Sequence, residues 1–233
     1  MPAKLYAKGV RAGDVKYFDY NEDGDISDAD RMNVGKAIPD FYGGITSNFS
    51  YKGFDLSLFG QFSVGGKVMS AWRGVNGSEG TDHLGLALSN VKVNDRGESV
   101  EQYFNVSKEV ANGYWRGEGT SNTIPRPVRI GVHTGYDYDY NVQTSTRYLE
   151  DASYFKLKTV TLGYTLPESV VKKLRVNSLR VYVSADNLLT LTKYSGYDPE
   201  TSFSGSPGDS NYGVDFGLQP VLRTFIFGLN LNF

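Results

Sequence analysis

Over the last twelve residues, Leu222 to Phe233, apolar and polar positions alternate. Phe225, Phe227, Leu229, Leu231 and Phe233 share one parity, and Thr224, Gly228, Asn230 and Asn232 share the other, with Ile226 as the one apolar exception. Successive side chains on a strand point to opposite faces. This strand therefore has one apolar, aromatic face and one small, amidic face. About 9–11 residues in that pattern can cross a bilayer as one stave of a barrel. A strand of a soluble sandwich alternates in the same way, so the remaining segments have to discriminate.

Four other segments repeat the pattern. In 41–51, Phe41, Ile45, Phe49 and Tyr51 oppose Tyr42, Thr46, Asn48 and Ser50. Lys52-Gly53 predicts a tight hairpin turn. The chain then returns over 54–64, with Phe54, Leu56, Leu58, Phe62 and Val64 against Asp55, Ser57, Gln61 and Ser63. In 153–166 the phase slips between Phe155/Leu157 and Val160/Leu162/Tyr164, which predicts a bulge near Lys158-Thr159. The fourth segment, 178–193, sets Leu179, Val181, Val183 and Ala185 against Arg180, Tyr182, Ser184 and Asp186. Short connections at 52–53 and 167–177 alternate with long ones at 65–147 and 195–219. Outer-membrane barrels alternate short periplasmic turns with long external loops in this way. A soluble sandwich rarely carries a loop as long as 65–147. The predicted fold class is all-β: a portion of a transmembrane antiparallel β-barrel, about five strands, with long extracellular loops. Residues 1–40 are expected to form an extracellular loop region and 41–233 the barrel strands with their loops.

Composition agrees. The mean hydropathy of -0.37 suits a barrel, because half of each strand is polar. No 18-residue apolar run predicts a membrane helix, and the first residues lack the apolar core of a secretory signal. That start is expected of a chain that begins elsewhere or belongs to something larger. A net charge of -2 without basic blocks argues against nucleic acid as a partner. The absence of cysteine excludes disulfides and thiolate chemistry.

One motif carries metal chemistry. Asp19, Asn21, Asp23, Asp25 (through its carbonyl) and Asp30 stand in the register of a calcium loop, with Gly24 at the sharp turn. Calcium takes 6–8 oxygens, which one carboxylate cannot supply. Asp30 stands where such loops usually carry Glu, and an extended segment precedes the loop instead of a helix. The plainer reading is an acidic turn loop. Calcium remains the expected cofactor. His83 and His133 have no ligand spacing, and Gly65-Gly66-Lys67 fails the phosphate-loop spacing. Trp72, Trp115, Tyr136, Tyr138 and Tyr140 offer flat faces for sugar rings or peptide side chains, with Asp137 and Asp139 as acceptors, or alternatively an aromatic rim. No nucleophile–histidine arrangement or positioned carboxylate pair predicts an enzyme.

Several stretches resemble the C-terminal barrel region of SusC/RagA-type TonB-dependent transporters. They are Gly13 to Ile26, Ile38 to Gly44, Tyr51 to Leu56, Tyr148 to Tyr164, Val181 to Leu188, Thr192 to Glu200, and the terminal Phe-Gly-Leu-Asn-Leu-Asn-Phe233. Their order and spacing follow the family from about residue 13 onward. The resemblance implies the last staves of an outer-membrane importer of oligosaccharides or peptides, and contact with outer-membrane lipid. It further implies a SusD-like surface lipoprotein as lid, and energy from TonB through a plug that these residues do not include. It also implies that Phe233 is the terminal aromatic read during membrane insertion. The alternative reading is a soluble calcium-binding β-sandwich that recognises carbohydrate, with its apolar faces packed together.

Overall fold

A computed structural model of the chain describes residues 2–71, 87–93, 96, 98–103, 108–130, 140–200 and 212–233. Five long strands form one antiparallel sheet: β1 (Phe41–Tyr51), β2 (Phe54–Val64), β3 (Tyr154–Thr165), β4 (Ser178–Thr192) and β5 (Thr224–Asn232). Each strand pairs with the next in sequence, as an up-and-down barrel wall requires. The predicted segments 41–51 and 54–64 match their strands end to end, and the other three differ by one or two residues at an end.

Local chemistry sets the register. Tyr51 pairs with Phe54 across a two-residue turn in which both Lys52 (φ 46) and Gly53 (φ 86) have left-handed backbone. Such a turn matches the right-handed twist of its strands. The register of β3 against β4 shifts between Leu157 and Thr159, where the bulge was predicted. Against β2 the extra residue is Lys158, because Phe59 faces Thr159 and Gly60 faces Leu157, and it restores the phase; against β4 the extra residue lies on β4, between Asp186 and Leu189. Phe155, Leu157, Val160, Leu162 and Tyr164 thereby share one face with the apolar residues of β2.

That phase correction makes the sheet two-faced across all five strands. The apolar face is open: Phe49, Phe54, Leu191, Phe225 and Leu229 are exposed, and Phe227 is 80% exposed. The opposite face carries the buried polar groups, including Lys156 and Ser184. This inverts the arrangement of a water-soluble core. A large apolar side chain gains roughly 1.5–3 kcal/mol on leaving water, so a face built of them is not a water surface. An eleven-residue strand is about 36 Å long at ~3.3 Å per residue. Tilted by about 40°, it rises about 28 Å, enough for the ~25 Å apolar band of an outer-membrane barrel.

Shorter elements lie ahead of β1 and in the connections between the long strands. Lys67–Ser70 pairs between Val214–Asp215 and Leu149–Asp151, and Ala87–Val93 pairs with Ser99–Tyr103 and, in parallel, with Val128–Ile130. Short helical turns occur at Ala3–Ala7, Lys108–Gly113 and Glu168–Val171. Among the described residues no helix is long and apolar enough to cross a membrane. The chain groups into two compact units, residues 1–34 with 70–149, and residues 35–69 with 150–233.

Candidate functional site

The polar face of the sheet is organised in layers. Nearest the short turns, Arg180 Nε and Nη2 donate to Asp55 Oδ1 and Oδ2 at 2.8 and 2.5 Å. This bidentate pair joins β4 to β2 across the intervening β3. It passes over Gly163, where a Cβ would collide with both the guanidinium and the carboxylate. One layer on, the Thr161 and Ser184 hydroxyls lie 2.8 Å apart, and Thr159 Oγ1 donates to Asp186 Oδ1 at 3.1 Å.

At the long-loop end a strap of chain, Tyr194–Glu200, crosses this face. Lys156 holds it. Lys156 is 1% exposed, and its ammonium donates to Asp198 Oδ1 at 2.5 Å and Glu200 Oε2 at 2.8 Å. Lys158 donates to the same Glu200 oxygen at 2.6 Å. Two cations face two carboxylates, so the cluster is neutral, and each buried charge is paired as a low-dielectric site demands. Burial raises the Glu200 carboxyl, but the hydrogen bonds from Lys156 and Lys158 outweigh it and hold the group below the ordinary glutamate range. Further ties fix the strap ends. The Ser195 N–H and hydroxyl donate to Glu150 at 2.8 and 2.7 Å, and the Tyr194 hydroxyl bonds Asp215. Val68, Ala152 and Tyr194 form a small buried core beneath it. Beside the strap lies a cavity of about 200 Å³, lined in part by Tyr42, Gln61, Ser63, Tyr154, Pro199 and Glu200.

The calcium-type loop is satisfied by its own backbone. Asp19 accepts from the N–H groups of Asp23 and Gly24 at 3.2 and 2.8 Å. Asn21 accepts from Asp23 N–H at 3.1 Å, and Asp23 accepts from Asp25 N–H at 2.8 Å. Asp30 closes the loop by accepting from Tyr20 and Ser27 N–H at 2.9 and 2.7 Å. Lys8 lies 2.6 Å from Asp25. Its hydrogen bond, followed by that from the Ile26 N–H, holds the Asp25 carboxyl below the ordinary range. Gly24 takes a left-handed φ of 77, as the motif requires. Among the described residues no three acid, histidine or cysteine side chains converge as a metal-holding group.

Of the aromatic candidates, Trp72, Tyr136 and Tyr138 lie outside the described residues, as do Asp137, Asp139, His83 and His133. Trp115 packs its ring against Gly13. Tyr140 is 6% exposed and packs edge-on to Tyr17 at 5.0 Å, with the Tyr17 hydroxyl donating to the Tyr140 carbonyl at 2.6 Å. Burial pushes the Tyr17 phenol pKa up. Nearby, Arg126 donates to Asp14 at 2.5 and 3.0 Å, and Asn141 bonds both the Asp14 carboxylate and the Val15 N–H at 2.8 Å. Trp115, Arg126, Tyr140 and Asn141 thus tie the long middle loop to residues 13–17.

Lys156, Asp198, Glu200 and the adjoining cavity were not anticipated from sequence. Lys156 does sit on the polar parity beside Phe155 and Leu157, and Asp198-Pro199-Glu200 follows β4 closely. No periodicity, however, links a strand lysine to carboxylates more than forty residues later.

No protein-family model matches the chain. A TonB-dependent receptor of Formosa agariphila, P3, is 33% identical over 225 residues, 95% of this chain and 19% of that protein. The TonB-dependent receptor SusC of Bacteroides thetaiotaomicron is 26% identical over 99% of this chain and 19% of its own length. The RagAB peptide importer in its open-open state superposes with a TM-score of 0.61 at 24% identity, covering 90% of this chain and 19% of that one. The chain spans about a fifth of the length of these relatives. The apolar side chains that a soluble sandwich would bury, Phe49, Phe225, Phe227 and Leu229 among them, are exposed on this sheet.

Proposed function

The chain is related over nearly its whole length to SusC/RagA-type TonB-dependent receptors, and from that premise we propose that it supplies C-terminal staves of an outer-membrane importer. The observation that carries this reading is the inverted sheet. Its exposed face is apolar and aromatic, and its charges are paired on the other side. In a bilayer that face meets lipid and the polar face lines the lumen. β1 and β5 are the edge strands of the sheet. Their outer backbone groups need partners within hydrocarbon, which other staves of the same barrel would supply.

In this reading the long connections 65–147 and 195–219 lie at the external mouth. There they contact a SusD-like lipoprotein and an oligosaccharide or peptide in transit. TonB acts through a plug carried by other parts of the protein. Import needs binding and release, and no residue here is assigned chemistry on the substrate. Nitroxide labels on single cysteines test the reading in the complete protein in bilayers. A label at Phe227 should be relaxed by oxygen dissolved in lipid, and one at Asn230 by an aqueous nickel chelate. Equal aqueous accessibility at both sites would refute a membrane wall.

We also propose that calcium occupies the 19–30 loop and braces the segment ahead of β1. The number and register of oxygen donors support this. Binding would exchange some of the carboxylate–backbone hydrogen bonds for metal ligation. Calorimetric titration should give calcium-specific heat that is lost in Asp23→Ala, whereas equal negligible heats in both proteins would remove calcium from the account.

A further inference from the structure

We propose that the cavity beside the Tyr194–Glu200 strap is a subsite for one neutral, hydroxyl-bearing ring, such as a single sugar residue of the transported cargo. This rests on the reading of the polar face as a lumen wall and goes beyond it by naming a place and a ligand chemistry. The cavity of about 200 Å³ is smaller than the ~300 Å³ at which drug-sized pockets begin. It has room for one ring and not for a long chain.

Its walls combine flat apolar surface with few polar groups, the usual composition of a small-ligand site. Tyr42, Tyr154 and Pro199 provide the flat faces, and Gln61, Ser63 and Glu200 provide hydrogen-bonding heads. The polar heads are pre-oriented. Gln61 Nε2 donates to the Tyr154 hydroxyl at 3.3 Å, which aims its carbonyl oxygen elsewhere. Glu200 takes both lysine bonds on Oε2, so Oε1 is the carboxylate oxygen that can accept from a ligand hydroxyl.

Charge balance sets the ligand class. Lys156 and Lys158 offset Asp198 and Glu200, so neither a free cation nor a free anion gains net attraction. A peptide backbone finds no open ladder on the strands beneath the cavity. β2 and β3 are each paired on both sides, and in the complete barrel the outer edge of β1, which carries Tyr42, is taken by the neighbouring stave, which removes strand addition as a binding mode. Hydroxyl groups that both donate and accept suit side-chain amide, hydroxyl and carboxylate partners. Lys156 is a positioning residue here: it touches no ligand but fixes Asp198 and Glu200, and with them the strap that forms one wall.

The test uses the complete barrel protein in detergent, titrated calorimetrically with maltotriose, cellotriose, xylotriose and trialanine. At least one trisaccharide should bind, and Gln61→Ala and Tyr42→Ala should each weaken it tenfold or more. Phe227→Ala, on the lipid-facing side, should leave the affinity unchanged, with the fold of every variant checked by its heat-modifiable electrophoretic shift. The subsite is overturned if no trisaccharide binds, if Gln61→Ala and Tyr42→Ala bind as the parent does, or if trialanine binds with the same losses. Uptake that persists in a Gln61→Ala protein of unchanged affinity overturns the subsite alone. Aqueous accessibility of the Phe227 label is a separate result and overturns the importer reading itself.

Discussion

Gly163 shows how a single residue without a side chain can be dictated by charges two strands apart. The Arg180–Asp55 pair needs the space that a Cβ on β3 would fill. In Gly163→Val the guanidinium and carboxylate must part or the strand must bulge. Overpacking of this kind typically costs about 1–3 kcal/mol, and loss of the bidentate geometry adds to it. Denaturant titration of the complete barrel should show a lowered midpoint in Gly163→Val and a smaller loss in Gly163→Ser. A midpoint unchanged in both would mean that the pair is not held across β3. In the sequence Gly163 stands between Leu162 and Tyr164 with nothing to mark the space it leaves. Arg180 and Asp55 read as ordinary polar-parity positions, because their register against each other depends on the bulge and on both strand pairings.

Elements were legible in proportion to how much they rest on local alternation. The five strands, the 52–53 turn and the 158 bulge follow from period-two patterning and turn chemistry, and the structure has each of them. The strap and the small sheets around 67–70 and 149–151 depend on long-range ion pairs and bridges that leave no period in the sequence. The strap carries its own pH signature. The Glu200 carboxyl lies below its ordinary value of 4.5 when folded. Its contribution is therefore fully present above about that pH and is lost as pH falls through the lowered folded value. Hydrogen exchange of the 194–200 amides, corrected for intrinsic rate, should quicken on going from pH 7 to below pH 4. In Glu200→Gln the protection should already be reduced at pH 7 and should change little with acid. An acid response identical in both proteins would place the titrating group elsewhere.

For the whole molecule, the placement of faces governs how the chain meets a membrane. Phe233 is 84% exposed and continues the outward parity of Leu231 and Leu229. From the likeness to SusC/RagA-type receptors we propose that this outward aromatic helps the barrel insert. Phe233→Ala in the complete protein should lower outer-membrane levels without altering the fold of the molecules that do insert. The unit formed by 1–34 and 70–149 sets a limit on how the mouth can be probed. Removing all of 80–140 would take Trp115, Arg126 and Tyr140, which hold residues 13–17, and a loss of function would then report unfolding. Replacing 131–139 with a Gly-Ser linker of equal length spares the Asp14–Arg126–Asn141 clasp and still removes Tyr136, Asp137, Tyr138 and Asp139. Loops on a rigid scaffold usually carry recognition, so this replacement should abolish lid association or uptake while barrel insertion, followed by surface labelling, stays at the parent level. Wild-type uptake and lid association in a correctly inserted variant would make the aromatic–acidic run an ornament of the rim and shift recognition to the strap and the lumen wall.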